Sequence, residues 1–391
     1  MASRTSRIRR ITRRTRRRTS VIAHRSSRSC WTEVTRAIVR GLCLAVLGCE
    51  AESTEPVFVY EGPPIPWDYA PFPELVEPAS NVSTDAKIAL GRLLFYDPVL
   101  GRDEKTACAT CHSEQWGFSD GLALSVGVDG EGPTGPGREG PNVTPRNAPT
   151  LWNVAWKESL FWDGRSSMLE LQALDPLNNE LELDLPVKDA VERLRAIPAY
   201  VELFDEAFPD AGKPRVTGTN IAKALSAFER TFITNFAPYD QYVGGDEGAL
   251  TEESKQGMVL FHQAGCSSCH VPPLFDSERF EARIATDDVG RFKVTGDEAD
   301  RGKMRVPTLR NLRETGPYFH DGSTVALEEA VLREATRAAE QGEGQPLSEA
   351  QAALVSVFLR KALMSRANEP TRPDEVPSGL AVPLDGFRIP R

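Results

Sequence analysis

Four of the seven cysteines stand in two pairs, each followed at once by a histidine: Cys108-Ala109-Thr110-Cys111-His112 and Cys266-Ser267-Ser268-Cys269-His270. Two thiols separated by two residues can add to the two vinyl groups of one porphyrin, and the adjacent imidazole is then set on the iron as its proximal ligand. The spacing therefore predicts two c-type haems, with Cys108, Cys111, Cys266 and Cys269 as the covalent attachments and His112 and His270 as axial ligands. Other uses of CxxC fit less well. A zinc site built from two such pairs separates them by ~15–20 residues, whereas 154 residues lie between Cys111 and Cys266. A thioredoxin-like pair needs a βαβ setting and does not explain two following histidines in a chain that has five.

The second motif follows the first by 158 residues, and the same offset relates other segments. Pro149-Thr150-Leu151-Trp152-Asn153 matches Pro307-Thr308-Leu309-Arg310-Asn311, Phe161-Trp162-Asp163-Gly164 matches Phe319-His320-Asp321-Gly322, and Leu169-Glu170 matches Leu327-Glu328. Matches at one constant offset imply two copies of one fold, each arranging equivalent residues around its own haem.

The elements that must position these groups read as helices. Ile221, Leu225, Phe228 and Phe232 share a face of a predicted helix over 221–232, and Ser348 with Gln351 forms a capping box ahead of Leu354, Val355, Phe358 and Leu359. Gly91 to Phe95 leads into the first haem motif as Gly257 to Phe261 leads into the second, and strand patterns are scarce. The Gly- and Pro-rich stretch from Gly127 to Pro149 is expected to be an irregular loop around the first haem. The expected fold class is mainly α, with two tandem cytochrome c-like domains and long irregular loops.

Charge is distributed unevenly. Residues 1–49 hold thirteen Arg and one acid, Glu33, so a net charge of −10 for the chain leaves −22 for the remainder. A basic start, the short apolar stretch Gly41 to Gly48 and then Cys49 form the pattern of an export signal. Val46-Leu47-Gly48-Cys49 resembles a bacterial lipoprotein processing site, which would make Cys49 a lipidated first residue in the periplasm. A nucleic-acid partner is not expected, because the acidic remainder would be repelled by phosphates. No run reaches the ~20 apolar residues of a membrane span.

Several motifs together resemble the bacterial di-haem cytochrome c peroxidases and their MauG-type relatives: Leu90-Gly91-Arg92-Leu93-Leu94-Phe95-Tyr96-Asp97, Arg146-Asn147-Ala148-Pro149-Thr150, Phe161-Trp162-Asp163-Gly164-Arg165 and Pro317-Tyr318-Phe319-His320-Asp321-Gly322. The resemblance spans about residues 84 to 363. It implies that the N-terminal haem meets peroxide and the C-terminal haem relays electrons. It carries over Gln172, Pro176 and Glu182 as the distal pocket of the first haem, with Glu182 moving the proton that O–O heterolysis requires. By the same resemblance Trp162 lies between the haems, and Asn147 with the carbonyls of Thr315 and Pro317 forms a Ca²⁺ site. The implied division is an export signal over 1–49, a Pro-rich linker or strap over 50–80, a peroxidatic haem domain over 81–245, an electron-transfer haem domain over 246–368 and a Pro-rich strap or tail over 369–391.

The chain also departs from the pattern. Peroxidases of this family hold a histidine on the distal side of the resting first haem, yet no histidine occurs between His112 and His262, so that haem is expected to be open to peroxide without prior half-reduction. Where relatives offer methionine or tyrosine to the second iron, counting from His320-Asp321-Gly322 gives Glu334, the repeat partner of Pro176; Met304 and water are the other candidate ligands. Three functions follow. The first is reduction of hydrogen peroxide with electrons from a small cytochrome c or cupredoxin. The second is MauG-like oxidation of Trp or Tyr in a protein substrate, and the third is electron transfer without chemistry. A homodimer is left open.

Overall fold

The computed structural model describes residues 72–282 and 287–386. The leader over 1–49 with Cys49, the linker up to residue 71 and the last five residues of the tail lie outside the described residues.

The chain is mainly α. Its helices are α1 (Asp85–Tyr96), α2 (Cys108–Cys111), α3 (Leu169–Gln172), α4 (Asp175–Asn178), α5 (Val187–Arg195), α6 (Pro198–Ala207), α7 (Gly218–Glu229), α8 (Pro238–Val243), α9 (Glu252–Gln263), α10 (Phe292–Thr295), α11 (Leu327–Glu340) and α12 (Glu349–Val357). Among the described residues the only strands are β1 (Phe280–Glu281) and β2 (Met304–Arg305), antiparallel, with Phe280 opposite Arg305.

Two large buried cores, and a small cluster of Val154, Leu160 and Leu169, lie among the described residues. One gathers residues from Leu90 to Phe232 under α1, α6 and α7; the other gathers residues from Tyr239 to Leu363 under α9, α11 and α12. In each, a glycine lets two helix backbones touch. A Cβ on Gly91 would lie 1.9 Å from the Ala224 carbonyl oxygen and 2.9 Å from Phe228 Cβ, and one on Gly257 would lie 2.1 Å from the Leu354 oxygen and 2.9 Å from Phe358 Cβ. The α1–α7 and α9–α12 crossings are thus the same contact made twice, in the helix leading to each CxxCH.

Residues 158 apart repeat each other's conformation and bonding. Asn153 and Asn311 both adopt positive φ, 59° and 56°. Asn153 exchanges bonds with Thr234 as Asn311 does with Ser365. The Thr150 hydroxyl donates to Gly117 O at 2.6 Å and that of Thr308 to Leu274 O at 2.7 Å. Phe161 and Phe319 likewise share positive φ, 67° and 72°. One matched pair diverges: Trp152 is an aromatic core residue, whereas Arg310 is a fully buried cation that donates to Thr234 O, Pro273 O and both oxygens of Asp240.

The capping box forms as expected, with Ser348 and Gln351 bonding each other's backbone. The α7 helix is shorter than the sequence pattern suggests, stopping at Glu229. Phe232 stays buried beyond it, stacked on Phe118 at 4.2 Å, because its N–H closes a turn onto the Glu229 carbonyl. Residues 371–386 form a strap on the first core: Ser378 Oγ donates to Asp97 at 2.6 Å, Arg372 pairs with Glu114, and Leu380 and Val382 pack against the apolar cluster.

Candidate active site

Each CxxCH histidine is aimed by a backbone carbonyl. His112 Nδ1 lies 2.8 Å from Phe118 O, and His270 Nδ1 lies 3.0 Å from Pro307 O and 3.3 Å from Phe275 O. A carbonyl can only accept, so Nδ1 carries the proton in both rings and Nε2 presents the lone pair a metal needs. Burial lowers the proton affinity of His112 further, keeping it neutral.

Each histidine lines its own cavity. The first, about 890 Å³, takes in Cys111, His112, Gln172, Pro176, Asn179 and Glu182. The second takes in Cys266, Cys269, His270, Met304 and Glu334. The repeat therefore brings Pro176 and Glu334 to matching places, one in each cavity. Among the described residues lining the first cavity, His112 is the single imidazole. Glu334 pairs with Arg337 at 3.6 Å.

Trp162 belongs to the wall of both cavities, as do Asn147 and Arg305. Its indole N–H donates to Asn147 O at 2.9 Å, and its ring meets that of His320 edge-on at 6.3 Å. Asn147, Thr315 and Pro317 are brought together on the second cavity's lining, and the Asn147 amide nitrogen donates to Leu122 O at 2.7 Å, which leaves its oxygen as the end available to a hard cation.

Glu182 comes from the turn after α4, and its backbone is tied on both sides: its N–H to Asn179 O at 3.0 Å, its carbonyl to Val128 N–H at 2.7 Å. Glu180 is exposed and outside the cavity, so of the acids in this run it is Glu182 that faces inward. Burial raises its proton affinity, while the Asn179 amide at 2.6 Å and the Arg165 charge lower it and Asp175 raises it.

Sequence reasoning assigns no role to three further residues at this site. Asn179 is one. Arg305 is another, buried on the shared wall with Nε lacking an acceptor among the described residues. A buried guanidinium so placed calls for an anion, and haem propionates are anions of the right reach. That orphaned donor, the two cysteine pairs and the two aimed imidazoles all fit haem in both cavities. The third, Arg146, joins Asp163 at 2.7 Å to Asp288 at 2.6 and 2.8 Å, holding the 287–294 segment at the first cavity's rim. Only Arg146 sits in a motif noted from sequence, and nothing there predicts its partner.

A helical scaffold that aims the imidazoles of two CxxCH motifs into two cavities sharing a wall that includes Trp162 defines a di-haem c-type protein. Comparison with known proteins agrees. Residues 85–248 match the family profile described as di-haem cytochrome c peroxidase. The methylamine utilization protein MauG of Methylorubrum extorquens is 38% identical over 266 residues, covering 66% of this chain and 71% of that protein. The cytochrome c551 peroxidase of Pseudomonas aeruginosa is 35% identical over 274 residues, covering 67% and 76%. A crystal structure of a MauG-like protein associated with microbial copper homeostasis superposes with a TM-score of 0.67 at 28% identity, covering 80% of this chain and 97% of that one. The chain belongs to the di-haem cytochrome c peroxidase family, which implies two c-type haems and makes it an oxidoreductase acting on peroxide.

Proposed function

We propose that the chain reduces hydrogen peroxide in the His112 cavity, with electrons delivered through the His270 cavity from a small cytochrome c or cupredoxin, the two copies acting as tandem haem domains over 81–245 and 246–368. The observation that carries this reading is a carboxylate, Glu182, lining the same cavity as the carbonyl-held His112. The haem, when bound, supplies the iron that holds peroxide and passes it electrons. Glu182 takes the proton from one peroxide oxygen and returns it to the other, which leaves as water; two electrons and two protons complete the conversion to two waters. The Gln172 amide can donate to the same substrate, while Pro176 has no N–H and keeps its side of the cavity apolar.

Trp162, shared by both walls, is the stepping point for electrons between the cavities. The Asn147 oxygen and the Thr315 and Pro317 carbonyls are the hard oxygen groups that would hold a Ca²⁺ ion. Glu334 and Met304 are the two side chains in the second cavity offered to its distal position. The acidic chain steers a basic donor, and the leader delivers the protein to the periplasm, anchored by a lipid on Cys49. Among the described residues no helix is long and apolar enough to cross a membrane.

A second reading, MauG-like oxidation of Trp or Tyr in a partner protein, is favoured by the absence of a second imidazole in the first cavity and by the MauG relative. Steady peroxide turnover with reduced cytochrome c supports the first reading; slow turnover with a mass change in a co-expressed partner supports the second. The deciding measurement is rapid mixing of the fully haem-loaded protein with peroxide. The native protein should react without prior half-reduction, and Glu182→Gln should slow that reaction by about 10²–10⁴-fold at unchanged haem content. Low-spin, doubly ligated iron indifferent to peroxide would leave only an electron carrier.

A further inference from the structure

The geometry points to Asn179 as the positioning residue that donates to Glu182 and leaves its other oxygen turned to the substrate. This rests on the reading of Glu182 as the proton-moving group.

Three bonds define the arrangement. Asn179 Nδ2 donates to Glu182 Oε1 at 2.6 Å, Asn179 Oδ1 accepts from the Leu181 N–H at 3.1 Å, and the Asn179 carbonyl accepts from the N–H groups of Glu182 at 3.0 Å and Asp184 at 3.1 Å. The Leu181 N–H can only donate, so it fixes which end of the amide is oxygen, and the nitrogen must be the end that meets Glu182. The turn therefore aims the donor before any substrate arrives. With Oε1 occupied, Oε2 is the oxygen left to exchange a proton.

The chemistry needs this donor. A carboxylate in a closed cavity is driven toward its neutral form by desolvation, and a protonated Glu182 cannot take a proton from peroxide. Hydrogen bonds to the charged form oppose that drive. The charged groups that face Glu182 are Arg165, which favours ionisation, and Asp175, which opposes it; the Cys108 and Cys111 thiols, also within its reach, would become neutral thioethers on haem attachment. Arg165 is partly committed to Asp163 at 3.1 Å, so the short contact from Asn179 is the direct bond that opposes protonation of Glu182.

Asn179→Asp tests this. It is isosteric and keeps an acceptor for the Leu181 N–H, so the turn survives, but it replaces the donor with a second carboxylate. Asn179→Ala removes the donor together with the side-chain acceptor of the Leu181 N–H. In haem-loaded protein the rate of reaction with peroxide is measured across pH, alongside the pH dependence of cyanide binding to the ferric haem, which also transfers a proton to a distal base. The expected result is a loss of about tenfold or more at neutral pH for Asn179→Asp. Its acidic limb moves to higher pH, the rate recovers at alkaline pH, and the cyanide profile moves in the same direction. A uniform loss at every pH, or profiles that superpose on the native ones while Glu182→Gln is slow, overturns the role of Asn179 alone. A Glu182→Gln variant as fast as the native protein overturns the Glu182 reading and this one with it.

Discussion

Burial sets the character of single residues here, and Glu229 gives the plainest case. It ends α7 beside Cys108, with Oε2 lacking a partner, and desolvation pushes its carboxyl up to about 8, Arg230 pulling the other way. A carboxyl whose folded value is raised contributes stability that is complete in acid and is lost as pH rises from the ordinary range through about 8. Glu229→Gln cannot ionise. It should match the native protein within error near pH 4 and exceed it at pH 9 by on the order of 2–4 kcal/mol, read from urea unfolding at the two pH values. Glu182 differs because Asn179 meets it. The two acids look alike in sequence, and only their neighbours in the fold separate a carboxyl with an unpartnered oxygen from one met by an amide.

Between elements, the decisive feature is the close approach of the helix before each haem motif to a later helix. Alanine in place of glycine inside a helix gains ~1 kcal/mol of propensity when space allows. Neither Gly91 nor Gly257 has that space, since the obstacles are the Ala224 and Leu354 backbones rather than movable side-chain tips. The clash should win. Gly91→Ala and Gly257→Ala are each expected to cost about 1–3 kcal/mol by chemical unfolding despite the better propensity, and a stabilising result would mean that the crossings are looser than described.

For the whole molecule, the coupling of the two copies depends on charges that cross between them. Arg146 donates to Asp163 of the first copy and to Asp288 of the second, and its guanidinium holds the Asp288 carboxyl down at about 2. A depressed carboxyl contributes stability that is present above its ordinary value and lost as pH falls through the folded one. Native protein should therefore exceed Asp288→Asn in thermal stability by a constant margin above pH 4, and the margin should shrink as pH approaches 2. A margin independent of pH would remove the clamp as an electrostatic link. Arg310 also reaches back to the Thr234 carbonyl, while its charge pairs with Asp240 beside its own core.

From sequence alone came the covalent chemistry and the repeat, because both are written in residues close along the chain. The CxxCH spacing is local geometry, and a constant offset of 158 is visible without any structure. Helix positions followed from local periodicity and capping, with the end of α7 misjudged because a buried Phe232 on a turn has the same pattern as one on a helix. The partners of long-range groups were decided only by the tertiary structure. Nothing near Arg146 points to Asp288, 142 residues on, and nothing near Arg305 says it will be buried on a wall shared by two cavities. Desolvation and charge pairing depend on what the folded chain brings from elsewhere, so the electrostatic state of the site is a property of the packing rather than of the motif.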